Sequence, residues 1–206
     1  MTRFKLIVAI VFGTLFACNS QGKRALIGDS EYQQKLNASY KDASTSPLKT
    51  SDLKNFKGLD FFPIDSSYIV TATIVKTNNA PIFEMATTTD RKPLYKEYGI
   101  LNFKIKGVDC QLTIYQSQDD LRDEKYKNYL FLPFTDDTSG NESYGGGRYM
   151  DVMTTDIKKD NTILLNFNNT YNPYCAYNEK YSCPLTPRKN HLNLEIKAGI
   201  KKFKKG

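Results

Sequence analysis

Tryptophan is absent from this 206-residue chain, and histidine occurs once, at His191. A single histidine means that every His-dependent mechanism must run through His191, and that a zinc centre would lack the usual imidazole partners. There is no Gly-x-Ser-x-Gly motif, which excludes the nucleophile elbow of the common serine hydrolases. The one glycine run, Gly145-Gly146-Gly147, is followed by Arg148 and Tyr149 rather than by Lys-Ser/Thr and a helix, so it is not a phosphate loop of the Walker type. No internal repeat and no low-complexity block interrupts the chain, which excludes a solenoid or a disordered array. No basic face interleaved with exposed aromatics is evident, so nucleic acid is a poor partner.

What is present describes one ordinary globular domain. Apolar residues make up 40% and charged residues 25%, values of a chain that can bury a core. The aromatic content is carried by 14 tyrosines and 12 phenylalanines, which with Thr and Ile favour strands. The formal net charge is +7, and removing Arg3 and Lys5 with a cleaved leader leaves +5. Much of that excess sits at the end, in Lys197, Lys201, Lys202, Lys204 and Lys205. It reads either as a solvated basic tail over 201–206 or as an attraction to anionic lipid or cell-wall polymer.

The first 17 residues read as a signal peptide. Arg3 and Lys5 are a positive start, and Leu6 to Phe16 is an apolar run too short to span a bilayer comfortably. The run ends in Leu15-Phe16-Ala17-Cys18, which is similar to a bacterial lipobox, so cleavage would leave Cys18 as the lipid-attachment residue. Several acyl chains on one residue anchor a protein stably. Residues 18–29 then form a tether, residues 30–200 the folded domain, and the expected location is the bacterial cell envelope, on the outer membrane or the periplasmic face of the inner one.

Ser30 and Gln33 have capping-box spacing, and Tyr32, Leu36 and Tyr40 fall on one stripe of a helix of about three turns. Ser51 is expected to cap a second short helical turn. From Tyr68 the period changes to two. Strands are predicted at 68–76, 82–87, 99–106, 110–116, 128–134, 148–152, 162–167 and 192–197. Lys106-Gly107-Val108-Asp109 is a turn between two of them, with Cys110, Leu112 and Ile114 facing inward. Many short strands and little helix predict a mainly β fold, a single antiparallel sandwich or barrel with short N-terminal helices.

Candidate chemistry collects between Phe131 and Pro187. A glycine run beside Arg148 and Tyr149 offers open backbone amides and a guanidinium, a receptor for a carboxylate or oxyanion; the same residues could be a bulged strand with Arg148 paired to a structural acid such as Asp136 or Glu142. Asp136, Asp137 and Glu142 flank a tight turn that could hold a hard cation, although an Asx-rich turn accounts for the pattern equally simply. Asn168, Tyr171, Asn172 and Tyr177 are residues that line polyol or sugar sites, and also residues of irregular loops that satisfy their own backbone. Cys175 and Cys183 enclose seven residues, leaving open a disulfide, free thiols or a metal site. No metal and no cofactor is assigned. If there is catalysis, Glu142 or Asp151 as base with Arg148 on an oxyanion is the arrangement to expect.

These motifs resemble the DUF1684 family of uncharacterised bacterial proteins. The likeness runs from about Glu31 to Ile200, through Ser46-Pro47-Leu48, Phe56 to Pro63, the Tyr98 to Tyr115 segment, Leu130 to Phe134, Glu142 to Asp151, Asn166 to Tyr177, Cys183 to Leu192 and Ala198-Gly199. It implies no activity. Asn166, Lys189 and Ile200 stand where the family usually has carboxylates, which favours binding over catalysis. The reading is therefore a lipid-anchored envelope protein that binds a small anionic or polyhydroxylated ligand through Gly145, Gly146, Gly147, Arg148, Tyr149, Asn168, Tyr171, Asn172 and Tyr177. A hydrolase-like enzyme and a purely structural lipoprotein are the alternatives. Its partners would be the membrane, through Cys18, and that ligand.

Overall fold

The computed structural model describes residues 28–204. The leader and Cys18 lie outside the described residues, and among those described no helix is long and apolar enough to cross a membrane. The expected helix is α1, Glu31–Lys41. Ser30 caps it by accepting from the Gln33 N–H at 3.2 Å, while Gln33 Oε1 accepts from the Asp29 N–H at 2.8 Å. Asn37, on the buried side, accepts the Leu59 N–H at 2.7 Å and so fixes the helix to the following loop. A second short helix, α2, spans Thr50–Lys54, with Lys49 rather than Ser51 at its N-cap and no side-chain capping bond.

The rest is a curled half-barrel sheet. Its strands are β1 (Ile69–Lys76), β2 (Ile82–Glu84), β3 (Leu94–Ile105), β4 (Val108–Ser117), β5 (Tyr129–Asp136), β6 (Arg148–Met153), β7 (Thr162–Asn166) and β8 (His191–Leu192). They run in the order β6-β5-β4-β3-β1-β7, with β2 added to β3 and β8 to β5. All pairings are antiparallel except β5 with β8. The β3–β4 hairpin closes through Lys106 and Gly107, both at positive φ (49° and 84°), the two-residue turn that matches strand twist. The expected strand over 192–197 is shorter than its alternation suggests: it pairs only at His191–Leu192 and then leaves the sheet, because its backbone is engaged by side chains instead.

Period-two alternation sorts the side chains onto two faces. Cys110, Leu112 and Ile114 of β4, Leu130, Leu132 and Phe134 of β5, and Met150 and Val152 of β6 fill the concave core. Tyr115, Phe131 and Tyr149 point the other way and form a second, aromatic cluster with Met85 and Tyr95. Tyr95 belongs to that outer face because a bulge between Glu97 and Gly99 reverses the alternation of β3, so that Leu101, Phe103 and Ile105 beyond it face inward. Tyr40 of α1 packs with Leu48, Leu59, Tyr177 and Ile200 in a third cluster beside the sheet. The C-terminal segment is partly built into the fold: the Lys201 N–H donates to the Asp60 carbonyl at 2.9 Å, and Phe203 packs on Tyr177 with ring centroids 5.0 Å apart.

Candidate functional site

The outer aromatic face of the sheet is the floor of a cleft of about 470 Å³, a size common for small-molecule sites. Tyr95 of β3, Tyr129 and Phe131 of β5, and Tyr149 and Asp151 of β6 form the floor. The stripe Tyr32, Leu36 and Tyr40 of α1 forms one wall, and Tyr171, Pro173, Tyr174 and Tyr181 to Pro184 form the other. Eight tyrosines line it.

Backbone pairing holds the second wall in place. The Tyr149 N–H donates to the Tyr171 carbonyl at 2.8 Å and the Tyr171 N–H returns to Tyr149 at 3.0 Å, covering the free edge of β6. The Thr88 N–H donates to the Cys183 carbonyl at 2.9 Å, and the Leu185 N–H to Ala86 at 2.8 Å. The Tyr149 hydroxyl donates to the Pro184 carbonyl.

Asp151 is the one charged side chain of the lining among the described residues. The Tyr129 and Tyr171 hydroxyls both donate to its Oδ1, at 2.8 and 2.5 Å. Desolvation, and after it the Asp151 charge, raises the Tyr32 and Tyr129 phenols well above their usual range. Tyr171 is raised too, first by burial and then by Tyr129 and Asp151. These phenols therefore stay protonated and serve as donors at neutral pH.

The structure divides the residues singled out from the sequence. Tyr149 and Tyr171 line the cleft; Gly145, Gly146, Gly147, Arg148, Asn168, Asn172 and Tyr177 do not. Arg148 is 0% exposed. Its Nη2 donates to Asp136 Oδ1 at 2.9 Å and to the Ile196 carbonyl at 2.8 Å, and its Nη1 donates to the Ala198 carbonyl at 2.5 Å. Asp136 completes the brace by accepting the Ile196 N–H at 2.7 Å and the Thr138 hydroxyl at 2.8 Å. The guanidinium thus braces the departing C-terminal segment against β5 and is closed to solvent. The glycine run turns the chain into β6: Gly147 has φ +92°, and a Cβ there would stand 2.5 Å from the Phe134 carbonyl oxygen.

The asparagines satisfy backbone. Asn168 accepts the Asp65 N–H at 3.1 Å and donates to the Asp65 carbonyl at 3.0 Å, and Asn172 donates to the Lys201 carbonyl at 2.9 Å. Tyr177 is buried under Tyr40, with centroids 4.9 Å apart. The hydrolase constellation is not assembled: Glu142 is exposed and pairs with Lys197 at 3.4 Å, Arg148 points into the core, and Asp151 lies on the opposite face of β6. The Asp136–Glu142 loop is an Asx-type turn serving Arg148, and among the described residues no group of three or more His, Cys, Asp or Glu could hold a metal ion.

Cys175 and Cys183 are free thiols in contact: the Cys175 N–H donates to Cys183 Sγ at 3.1 Å. The hydrogen bond from Cys183 lowers the Cys175 thiol to about 7 against the opposing effect of burial, with help from Tyr144 and Thr88. Cys110 is buried on its strand. A larger hollow, of about 730 Å³, lies over β1, β3 and β4, but there Lys104 and Asp109 already pair with each other at 2.5 Å and aromatic lining is confined to Phe103.

Sequence reasoning missed most of the cleft. Tyr95 of β3 and Tyr129 and Phe131 of β5 lie far in sequence from the asparagine and tyrosine stretch, with Tyr171, Tyr174 and Tyr181, that the sequence does single out. The signal that was available is the stripe Tyr32, Leu36, Tyr40, which is too aromatic for a helix covering an ordinary core. The family departures do not touch the site: Asn166 caps a turn through the Asn168 N–H at 3.1 Å, Lys189 pairs with Glu97, and Ile200 is buried.

No match was found among the curated proteins. Among solved structures, the chain is similar to the solution NMR structure of an uncharacterized protein from Haloarcula marismortui, with 32% identity, a TM-score of 0.65, and coverage of 82% of this chain and 89% of that one. The model of the family described as "Protein of unknown function (DUF1684)" matches residues 54–201, which take in the whole sheet and the second wall of the cleft, and the chain belongs to this family.

Proposed function

We propose that this protein is a binding module of the bacterial cell envelope, tethered by lipid on Cys18, which holds a small organic ligand in the tyrosine cleft. The observation that carries the binding reading is the convergence of eight tyrosines from α1, β3, β5, β6 and the 171–184 segment around the single carboxylate of Asp151. Rings of this kind supply large apolar faces, and their hydroxyls fix orientation. Binding is favoured over hydrolysis because, among the described residues, no histidine, lysine or arginine lines the cleft beside Asp151 to complete an acid–base pair. In an oxidising envelope Cys175 and Cys183 would join and tie down the wall that carries Cys183.

The chain has no tryptophan, so one introduced at the cleft is a unique reporter. Tyr181→Trp should give emission that responds to benzyl alcohol, benzylamine or phenylacetate at sub-millimolar concentration, and the response should vanish when Leu36→Phe is added to fill the cleft. Emission indifferent to every probe overturns the reading. Anchoring is tested separately: Cys18→Ala should move the protein from the membrane fraction to the soluble one and abolish palmitate incorporation, and an unchanged distribution would exclude lipid attachment at Cys18.

A further inference from the structure

Resting on the reading of the cleft as a ligand site, we propose that its ligand is an organic cation, an ammonium group carried on an apolar body, with Asp151 as its counter-ion. Charge and geometry support this together. Both phenol donors, Tyr129 and Tyr171, converge on Oδ1 of Asp151, and among the described residues nothing donates to Oδ2. Asp151 is exposed toward the cleft, so that oxygen is presented to whatever enters. A carboxylate with one oxygen held by the protein and one left open is a receptor for a donor that the protein does not supply.

The surroundings match the same partner. A phenol ring is electron-rich on its face, and a cation above it is attracted, most strongly where water is excluded. Among the described residues, no Lys, Arg or His lines the cleft. Beside the cleft Arg91 donates to Ser182, from Nε to the hydroxyl and from Nη2 to the carbonyl, both at 3.2 Å, and the Lys180 ammonium lies 5.0 Å from the Tyr181 ring centroid. That second contact shows a cleft tyrosine accepting an ammonium within this structure.

An anionic ligand would meet the Asp151 charge inside the cleft, where the lining among the described residues holds no cation. A sugar would find few planar polar groups, since apart from phenols and Asp151 the only polar side chains in the lining, among the described residues, are Ser182 and the Cys183 thiol. The anionic ligand expected from the sequence rested on Arg148, whose Nη atoms are committed to Asp136 and the Ile196 and Ala198 carbonyls.

The test measures the affinity of the full chain for three probes of one shape: benzyltrimethylammonium, benzyl alcohol and phenylacetate. The expected order places benzyltrimethylammonium about tenfold or more ahead of benzyl alcohol, with phenylacetate weakest. Asp151→Asn keeps an acceptor for both phenols, so its fold should survive. It should remove most of the advantage of the cation over benzyl alcohol. Equal affinities that Asp151→Asn does not alter, or a preference for phenylacetate, overturn the cation assignment and leave the cleft as a binding site. Absence of binding by all three overturns the cleft reading with it.

Discussion

Replacing Arg148 by methionine is expected to cost about 3–5 kcal/mol of folding stability, enough to leave a domain of ordinary stability marginal. The reason is asymmetry. The guanidinium is fully buried, and burial lowers its pKa while Asp136 holds the charged form in place. Methionine fills similar volume but leaves the Asp136 carboxylate uncompensated, at 2% exposure, and strands the Ala198 carbonyl. Lysine is no rescue, because one ammonium cannot reproduce the fork that meets Asp136, Ile196 and Ala198 together. Removing both charges, with Asp136→Asn added to Arg148→Met, should recover part of the loss. Urea unfolding measures each step. A methionine variant as stable as the parent would show that the ion pair braces nothing.

Asn190→Leu is expected to cost about 3 kcal/mol, and its cause lies in a proline. Tyr115 faces Phe131 across β4 and β5, so the next hydrogen-bonding pair in that register would be Thr113 with Pro133. Pro133 has no N–H to give. The strands part there, and the Asn190 carboxamide enters between them: Oδ1 accepts the Thr113 N–H at 3.0 Å, and Nδ2 donates to the Thr113 carbonyl at 2.8 Å and to the Pro133 carbonyl at 2.7 Å. Asn190 is 0% exposed, so leucine there strands three buried backbone groups at about 1 kcal/mol or more each. Pro133→Ala should not rescue the variant unless the strands close again. Thermal unfolding of the three variants decides this, and an Asn190→Leu melting point equal to the parent's would refute the bridging role.

The two residues differ in what their sequence context shows: Asn190 carries no signal of its bridging role, and Arg148 carries two readings. Of the two readings of Arg148, the pairing with the structural acid Asp136 holds, whereas the receptor reading treats neighbours in sequence as neighbours in space. In a strand they are not: Arg148 and Tyr149 point to opposite faces of β6, and the same alternation that sends Met150 and Val152 inward sends Asp151 outward. That split was legible once RYMDV was assigned as a strand. The helix stripe, the β3–β4 hairpin and the positions of seven strands were legible too, because each rests on local periodicity or turn chemistry. The cleft was not, since Tyr32, Tyr95, Tyr129, Tyr149 and Tyr171 meet only through strand order and the docking of α1. The bulge that turns Tyr95 outward leaves no mark that alternation alone would reveal. The 192–197 segment alternates like a strand, yet past the Asp137 N–H bond to the Leu194 carbonyl the backbone groups of Ile196 go to Asp136 and Arg148, so side-chain partners take over from the ladder.

The most direct measurement is an NMR titration of the full chain, with its tyrosine rings isotopically labelled, by benzyltrimethylammonium. The expected result is a concerted, saturable shift of the ring resonances of Tyr32, Tyr129, Tyr149 and Tyr171, while Tyr98 and Tyr68 stay in place. Saturable shifts confined to Tyr144, beside the glycine turn, with the four cleft rings unmoved, would contradict it and return the ligand site to the glycine run before Arg148.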